Sequence, residues 1–206
     1  MKPLTLVYFS LLFLAMFFSS GFMSRGKTAQ PTWNNLLARI QPGDIVFRLG
    51  HGFISESMRK FSLKDPKYSH AGIVSMENGK PMVYHLLGGE SSATVLQKES
   101  LEKFCSPNEA ASFAVYRVPL NPAQVKSVDS LNQFYFNAKL KYDSRFDLAT
   151  DSAMYCTEYV YKVLVRAVGK NNIVISSSML SGHTYIACDD IYFNATMKKI
   201  FSFDYE

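Results

Sequence analysis

An α+β domain with a central antiparallel sheet packed against helices is the fold class this sequence predicts, on three observations. Strand-like runs concentrate in the middle of the chain, with helix-like runs before and after them. Two of these runs, Ser69 to Met76 and Pro81 to Leu86, flank Glu77-Asn78-Gly79-Lys80. Asn-Gly in that setting signals a hairpin, because a type I′ turn needs positive φ at both central residues. Between Ala153 and Val168 the apolar residues recur at helical spacing, and Gly169 follows as a stop.

The first 23 residues are set apart from this domain. Lys2 precedes an apolar stretch from Leu4 to Phe22, broken only by Thr5, Ser10, Ser19, Ser20 and Gly21. A charged start, an apolar middle and small residues near its end read as an export signal. The same stretch, roughly 28 Å long as a helix, is sufficient to span a bilayer and anchor the chain if it is retained. Lys2 on one side is matched by Arg25 and Lys27 on the other, so charge gives no orientation. The segment has no cysteine for lipid attachment. The expectation is a signal or membrane anchor over residues 1–23, a polar tether over 24–31, and one domain over 32–206. The location is then periplasmic or extracellular, with residues 4–22 as a possible membrane contact.

Loss of Lys2 with the signal lowers the formal charge of +5 to +4. Basic and acidic residues are interspersed, with no basic stripe of the kind that binds nucleic acid. The three cysteines, Cys105, Cys156 and Cys188, leave one unpaired in any disulfide scheme. Either Cys105 pairs with Cys188 and leaves Cys156 free, or all three are separate thiols. No two cysteines have metal-knuckle spacing. His51, His70, His85 and His183 form no short ligand motif, so neither a metal nor a cofactor is expected.

Taken in order, Thr32 caps a short helix from Trp33 to Ile40, ended by Gln41-Pro42-Gly43. Asp44 to Arg48 reads as a strand, and Phe53 to Phe61 as a helix with Phe53, Ser57 and Phe61 on one side. After the hairpin come strand-like Val95, a helix over Glu99 to Phe104 and a strand over Ala114 to Val118. Asn121-Pro122 opens a helix of roughly 15 residues, with proline at its first position, where no amide bond is lost. Asp151 or Ser152 is expected to cap the helix that carries Cys156. The tail, with Ile173–Ile175 and Ile200–Phe203, fits either strand or loop.

The hairpin places two histidines together. With Asn78-Gly79 as a two-residue loop, Glu77 opposes Lys80, Gly72 opposes His85, and His70 opposes Leu87. Residues two apart on a strand, and residues directly opposed, share a face. His70, Gly72 and His85 therefore point the same way, and Gly72 leaves the space between the rings free of side chain. A single bulge would undo this by turning one histidine to the other face. Cys156 leads a core-facing stripe through Tyr159, Val160, Val163, Leu164 and Ala167. In the first turn or so of a helix, free N–H groups and the dipole favour a thiolate and can hold a developing oxyanion. An imidazole nearby is the usual base for a nucleophilic thiol. Each residue alone reads equally well as packing: Cys156 as a small buried hydrophobe, either histidine as a strand residue.

Three segments together resemble the YiiX-like permuted papain-fold amidases of the NlpC cell-wall peptidase superfamily. Gln41-Pro42-Gly43-Asp44-Ile45-Val46-Phe47 is similar to that family's opening strand, and Tyr68-Ser69-His70-Ala71-Gly72-Ile73-Val74 to its histidine strand. Tyr142-Asp143-Ser144-Arg145-Phe146 and Tyr155-Cys156-Thr157-Glu158-Tyr159-Val160 resemble its cysteine segments. The resemblance implies a permuted papain-like fold, with an antiparallel sheet or open barrel against helices and the histidine preceding the cysteine. It implies Cys156 as nucleophile and His70 as base and acid. The family's third polar residue is commonly Glu; Val83-Tyr84-His85-Leu86 puts His85 in that slot, as in the related lecithin retinol acyltransferase group. A neutral His85 accepts a hydrogen bond from His70 but lacks a carboxylate's power to stabilise imidazolium.

The expected activity is hydrolysis of an amide or ester through an acyl-thioester on Cys156. The expected substrate is a cell-envelope peptide first and an acyl lipid second. The rivals are an acyltransferase and a binding module on the same fold. The mechanism also predicts a thiol alkylated rapidly near neutral pH. Asp143 and Asp147 read as turn or cap residues, Tyr68 and Tyr155 as packing, and Glu158 as a salt-bridge or cap residue. His51 and His183 receive no role.

Overall fold

The computed structural model describes residues 32–88, 95–169, 175, 177–180 and 182–205. The expected signal or anchor and the tether lie outside the described residues, as do Ile173 and Val174. No helix among the described residues is long and apolar enough to cross a membrane.

Six antiparallel strands form the central sheet in the order β10-β5-β1-β2-β3-β4. They are β1 (Ile45–Leu49), β2 (His70–Glu77), β3 (Lys80–His85), β4 (Gln97–Ser100), β5 (Ser112–Arg117) and β10 (Lys198–Asp204). The turn between β2 and β3 is the one the sequence requires: Asn78 and Gly79 both have positive φ, 49° and 76°. Glu77 pairs with Lys80 and Ile73 with Tyr84, with no bulge between, so the predicted register holds. The ambiguous tail resolves in part, since Lys198–Asp204 pairs with β5 and shifts register between Lys199 and Phe201.

The strands alternate between two apolar layers. Ile45, Phe47, Ile73 and Tyr84 face α4 (Pro122–Asn137), α5 (Cys156–Val168) and α6 (Cys188–Tyr192). Val46, Val74, Val83 and Val115 face the other way, towards Leu36 of α1 (Trp33–Leu37) and Leu101 and Phe104 of α3 (Leu101–Phe104). α4 starts as expected, with Asn121 and Gln124 closing a reciprocal capping box ahead of Pro122. α2 (Gly52–Arg59) has no buried residue; Phe53 and Ile54 are exposed.

Two of the boundaries that differ from the sequence prediction bear on the site. Glu99 lies in strand β4, not in a helix, because Gln97–Ser100 pairs with Met82–His85 along the edge of the sheet. The helix starts only after Ser100, whose hydroxyl caps the Lys103 amide at 3.2 Å. The cysteine helix begins at Cys156, three residues later than expected. β6 (Lys141–Tyr142) and β7 (Ala153–Met154) pair in parallel and keep the chain extended up to Tyr155. Pairing satisfies backbone groups that an earlier helical turn would claim. Gly169 ends this helix at φ 91°, as the sequence signals. Val95 contributes a single bridge to Lys141, and β8 (Ser178–Leu180) with β9 (His183–Tyr185) forms a small hairpin before α6.

Candidate active site

Cys156 is the first residue of α5, with Tyr155 as its N-cap. Glu158 reaches back to accept the Tyr155 amide at 3.2 Å and pairs with Lys162 at 2.7 Å, the cap and salt-bridge roles its position suggests. Asp143 likewise fixes the preceding turn, accepting the amides of Arg145 and Asp147 at 2.8 and 2.7 Å. The helix start is thus held from both sides. Cys156 projects into a cavity of about 600 Å³ that His70 also lines. The backbone amides of Ala71, Cys156 and Thr157 act on its thiol in the direction that favours thiolate. Folding therefore brings the thiol to the residue that follows His70.

The two histidines meet as the register requires. His70 Nε2 lies 2.9 Å from His85 Nδ1, with the rings 5.1 Å apart and nearly perpendicular. Gly72 makes this contact possible. A methyl group there would come within 2.5 Å of Val83 Cγ1, 3.0 Å of the Tyr84 carbonyl and 3.1 Å of His85 Cβ. Since Nε2 of His70 is committed to His85, its Nδ1 is the nitrogen left to take a proton in the cavity.

Three residues of this cluster carried no signal in the sequence. Phe104 underlies both imidazoles, stacked on His70 at 5.6 Å and edge-on to His85 at 5.1 Å. Arg48, paired in register with His70, lies over the same ring at 4.4 Å and donates to the Phe104 carbonyl at 3.0 Å. Glu99 places Oε1 3.2 Å from His85 Nε2 and Oε2 2.9 Å from Lys103 Nζ. It stood in a stretch read as helix, so no pattern linked it to the hairpin; its strand pairing is what brings it there.

Burial dominates the proton equilibria. It holds His70 well below the usual imidazole range, and the Arg48 charge and His85 push the same way. His85 is also lowered by burial, against the pull of Glu99 and with that of Arg48 and Lys103. Burial works to raise the Glu99 carboxyl, but the close approach of His85 and Lys103 outweighs it and holds the group at about 2. The Cys156 thiol is pushed up by burial, which outweighs the surrounding amides that favour thiolate. Burial thus works against the ion pair of thiolate and imidazolium, and the rapid alkylation expected near neutral pH stands as a prediction.

The other candidates take structural positions. Tyr155 lines the cavity, and its hydroxyl accepts the Ile186 amide at 2.8 Å. Tyr68 is buried in the core. His51, an exposed residue at the start of α2, approaches the Pro107 carbonyl at 2.9 Å. All three cysteines are free thiols, so the reading with separate thiols holds over a Cys105–Cys188 bridge.

Residues 39–184 match the family model described as permuted papain-like amidase enzyme, YaeF/YiiX, C92 family. The chain belongs to this family. It is also similar to the uncharacterized protein YiiX of Escherichia coli strain K12, at 28% identity over 131 residues. That match covers 63% of this chain and 59% of the relative, so this chain spans about three-fifths of the relative's length. Among solved structures, one titled as metalloprotein yiiX from Escherichia coli O157:H7 superposes with a TM-score of 0.65. It shares 20% identity and covers 78% of this chain and 96% of its own. At that identity the likeness concerns the fold, and the α+β, permuted papain-like architecture is the one the sequence implied.

Proposed function

We propose that the chain is an exported cysteine hydrolase that cleaves an amide or ester bond through an acyl-thioester on Cys156, with His70 as base and acid and His85 as its orienting partner. One observation carries this reading: Cys156 at a helix N-terminus and His70, bonded through its far nitrogen to His85, line one cavity. His70 Nδ1 removes the thiol proton as sulfur attacks the substrate carbonyl carbon. The negative charge that develops on the carbonyl oxygen meets the free N–H groups of the first turn of α5. Imidazolium then gives its proton to the departing amine or alcohol, leaving the thioester. A water molecule, deprotonated by His70, attacks the thioester; the acid leaves and the sulfur regains a proton.

The apolar part of the cavity lining supports an acyl group ahead of a polar stem peptide as the substrate. Its walls include Ile54, Met58, Phe61, Leu86, Phe146 and Ile186, and an apolar lining of this kind gains by removing hydrocarbon from water. Transfer of the acyl group to an added amine or alcohol in place of water is the companion reaction. The apolar stretch over residues 4–22 supports export or anchoring near a membrane.

The description of the solved relative as a metalloprotein does not extend readily to these residues. Among those described, no group of three His, Cys, Asp or Glu side chains is placed to hold a metal ion, and His70 and His85 each direct a ring nitrogen at the other. No step is routed through a metal.

The test is rapid-quench mass spectrometry of the full chain with N-acyl amides, acyl esters and stem peptides. An acyl adduct on Cys156, absent from Cys156→Ala and formed first from the acyl substrates, is expected. Turnover that survives Cys156→Ala overturns the nucleophile. Adducts from stem peptides alone overturn the acyl preference.

A further inference from the structure

The polar chain does not stop at the second histidine. The carboxylate missing from the His85 position stands one strand further out, on β4. Glu99 Oε1 lies 3.2 Å from His85 Nε2, and the side chain is largely buried, at 10% exposure. The approach is close but off the axis of the ring N–H, since that nitrogen makes no aligned hydrogen bond in this geometry. Its attraction is therefore chiefly coulombic until a small rotation aligns it.

We infer that Glu99 is a positioning residue of the reaction: it sets the tautomer of His85, which sets that of His70, and it supplies through His85 the negative charge that stabilises imidazolium. The inference rests on the proposed Cys156–His70 chemistry. A carboxylate beside Nε2 favours the His85 tautomer with its proton there, leaving Nδ1 as a lone pair. That lone pair accepts from His70 Nε2–H, which leaves His70 Nδ1 bare and able to take the thiol proton. Every proton is accounted for, and the tautomers follow from one fixed charge at the end of the chain.

The other charges facing the pair explain why one is needed. Arg48 on β1 and Lys103 on α3 both disfavour imidazolium. Cys156 on α5 favours it only once ionised. Glu109 pairs at 3.7 Å with the other terminal nitrogen of Arg48, not the one that faces Glu99. Glu99 meets Arg48 at 3.6 Å and Lys103 at 2.9 Å, so it opposes both cations beside His85. The sequence hid this because β4 is an edge strand that reaches the histidines only through pairing, Val83 with Glu99 and His85 with Gln97.

The test reads Cys156 alkylation by iodoacetamide against pH in the full chain, alongside 15N chemical shifts of the histidine rings. In the native protein both His70 and His85 are expected to be Nε2-protonated; His85 protonated at Nδ1 overturns the inference without any variant. Glu99→Gln is expected to lower alkylation at neutral pH about tenfold, the effect of roughly one unit in an imidazole pKa. It should leave the rate unchanged at high pH, where the thiol ionises unaided. A merely structural role would lower both limbs or neither. Lys103→Met, at an exposed site, should raise the neutral-pH rate. In a His85→Glu background, where a carboxylate contacts His70 directly, Glu99→Gln should no longer reduce the rate; a tenfold loss persisting there overturns the relay. Rates that fall in His70→Ala but not in Glu99→Gln overturn this inference alone. Rates indifferent to His70→Ala overturn the reading beneath it.

Discussion

Strand β2 carries two buried polar networks, and they end differently. At its C-terminal half Ser75 donates to Asp129 at 2.7 Å and accepts from Asn132 at 2.9 Å; Asn132 in turn accepts the Tyr159 hydroxyl. This network ties β2, α4 and α5 together, and each of those polar groups finds a partner. At the N-terminal end, His70, His85 and Glu99 form a chain whose first residue lines a cavity. Burial lowers the proton affinity of its histidines and raises that of its thiol, while its carboxylate is held at about 2. The closed network is built for rigidity and the open one for a proton transfer.

Breaking the open chain at its base has the largest expected effect. His70→Ala should reduce hydrolysis and neutral-pH alkylation of Cys156 by about 10²–10⁴-fold, the usual range for a general base, with circular dichroism unchanged. A loss below threefold would remove His70 from the mechanism.

Separating the rings without removing either one gives a sharper test. Gly72→Ala must displace Val83, the Tyr84 carbonyl or His85, at a cost of about 1–3 kcal/mol for overpacking. Urea unfolding should show that loss, and 15N spectra should show the His70–His85 hydrogen bond weakened. Intact coupling between the rings would mean that the hairpin relaxes elsewhere.

The closed network should respond in the opposite sense. Tyr159→Phe removes a donor from buried Asn132 and is expected to cost about 1–3 kcal/mol in stability with little change in alkylation. A large fall in alkylation at unchanged stability would show that the two networks are not separable.

The smallest effect is the acid limb of stability. His70 and His85 have folded pKa values below their unfolded one near 6.5, so the unfolded chain binds more protons below that pH. Their contribution is complete above about pH 6.5 and is lost as pH falls, by at most about 1.4 kcal/mol per unit for each histidine. Glu99, held at about 2, adds a further loss between about pH 4.5 and 2. Chemical denaturation across this range should show the slope, and His85→Leu should flatten its upper part. An unchanged slope would mean that His85 titrates normally in the fold.

Local pattern was enough wherever one interaction dominated. Asn78-Gly79 determined the hairpin and its register, and with them the meeting of His70 and His85, because only one turn type suits that pair and strand periodicity does the rest. Helical spacing located the cysteine helix and Gly169 its end, and the family motifs gave the permuted order. Contacts between distant segments decided the remainder. A two-residue parallel pairing moved the helix start to Cys156, and an edge pairing turned a stretch of good helix formers into the strand that delivers Glu99. Burial then set the proton affinities against what each residue's neighbours in sequence suggest. Desolvation and pairing between remote backbone groups are properties of the packed chain, and no short window of sequence contains them.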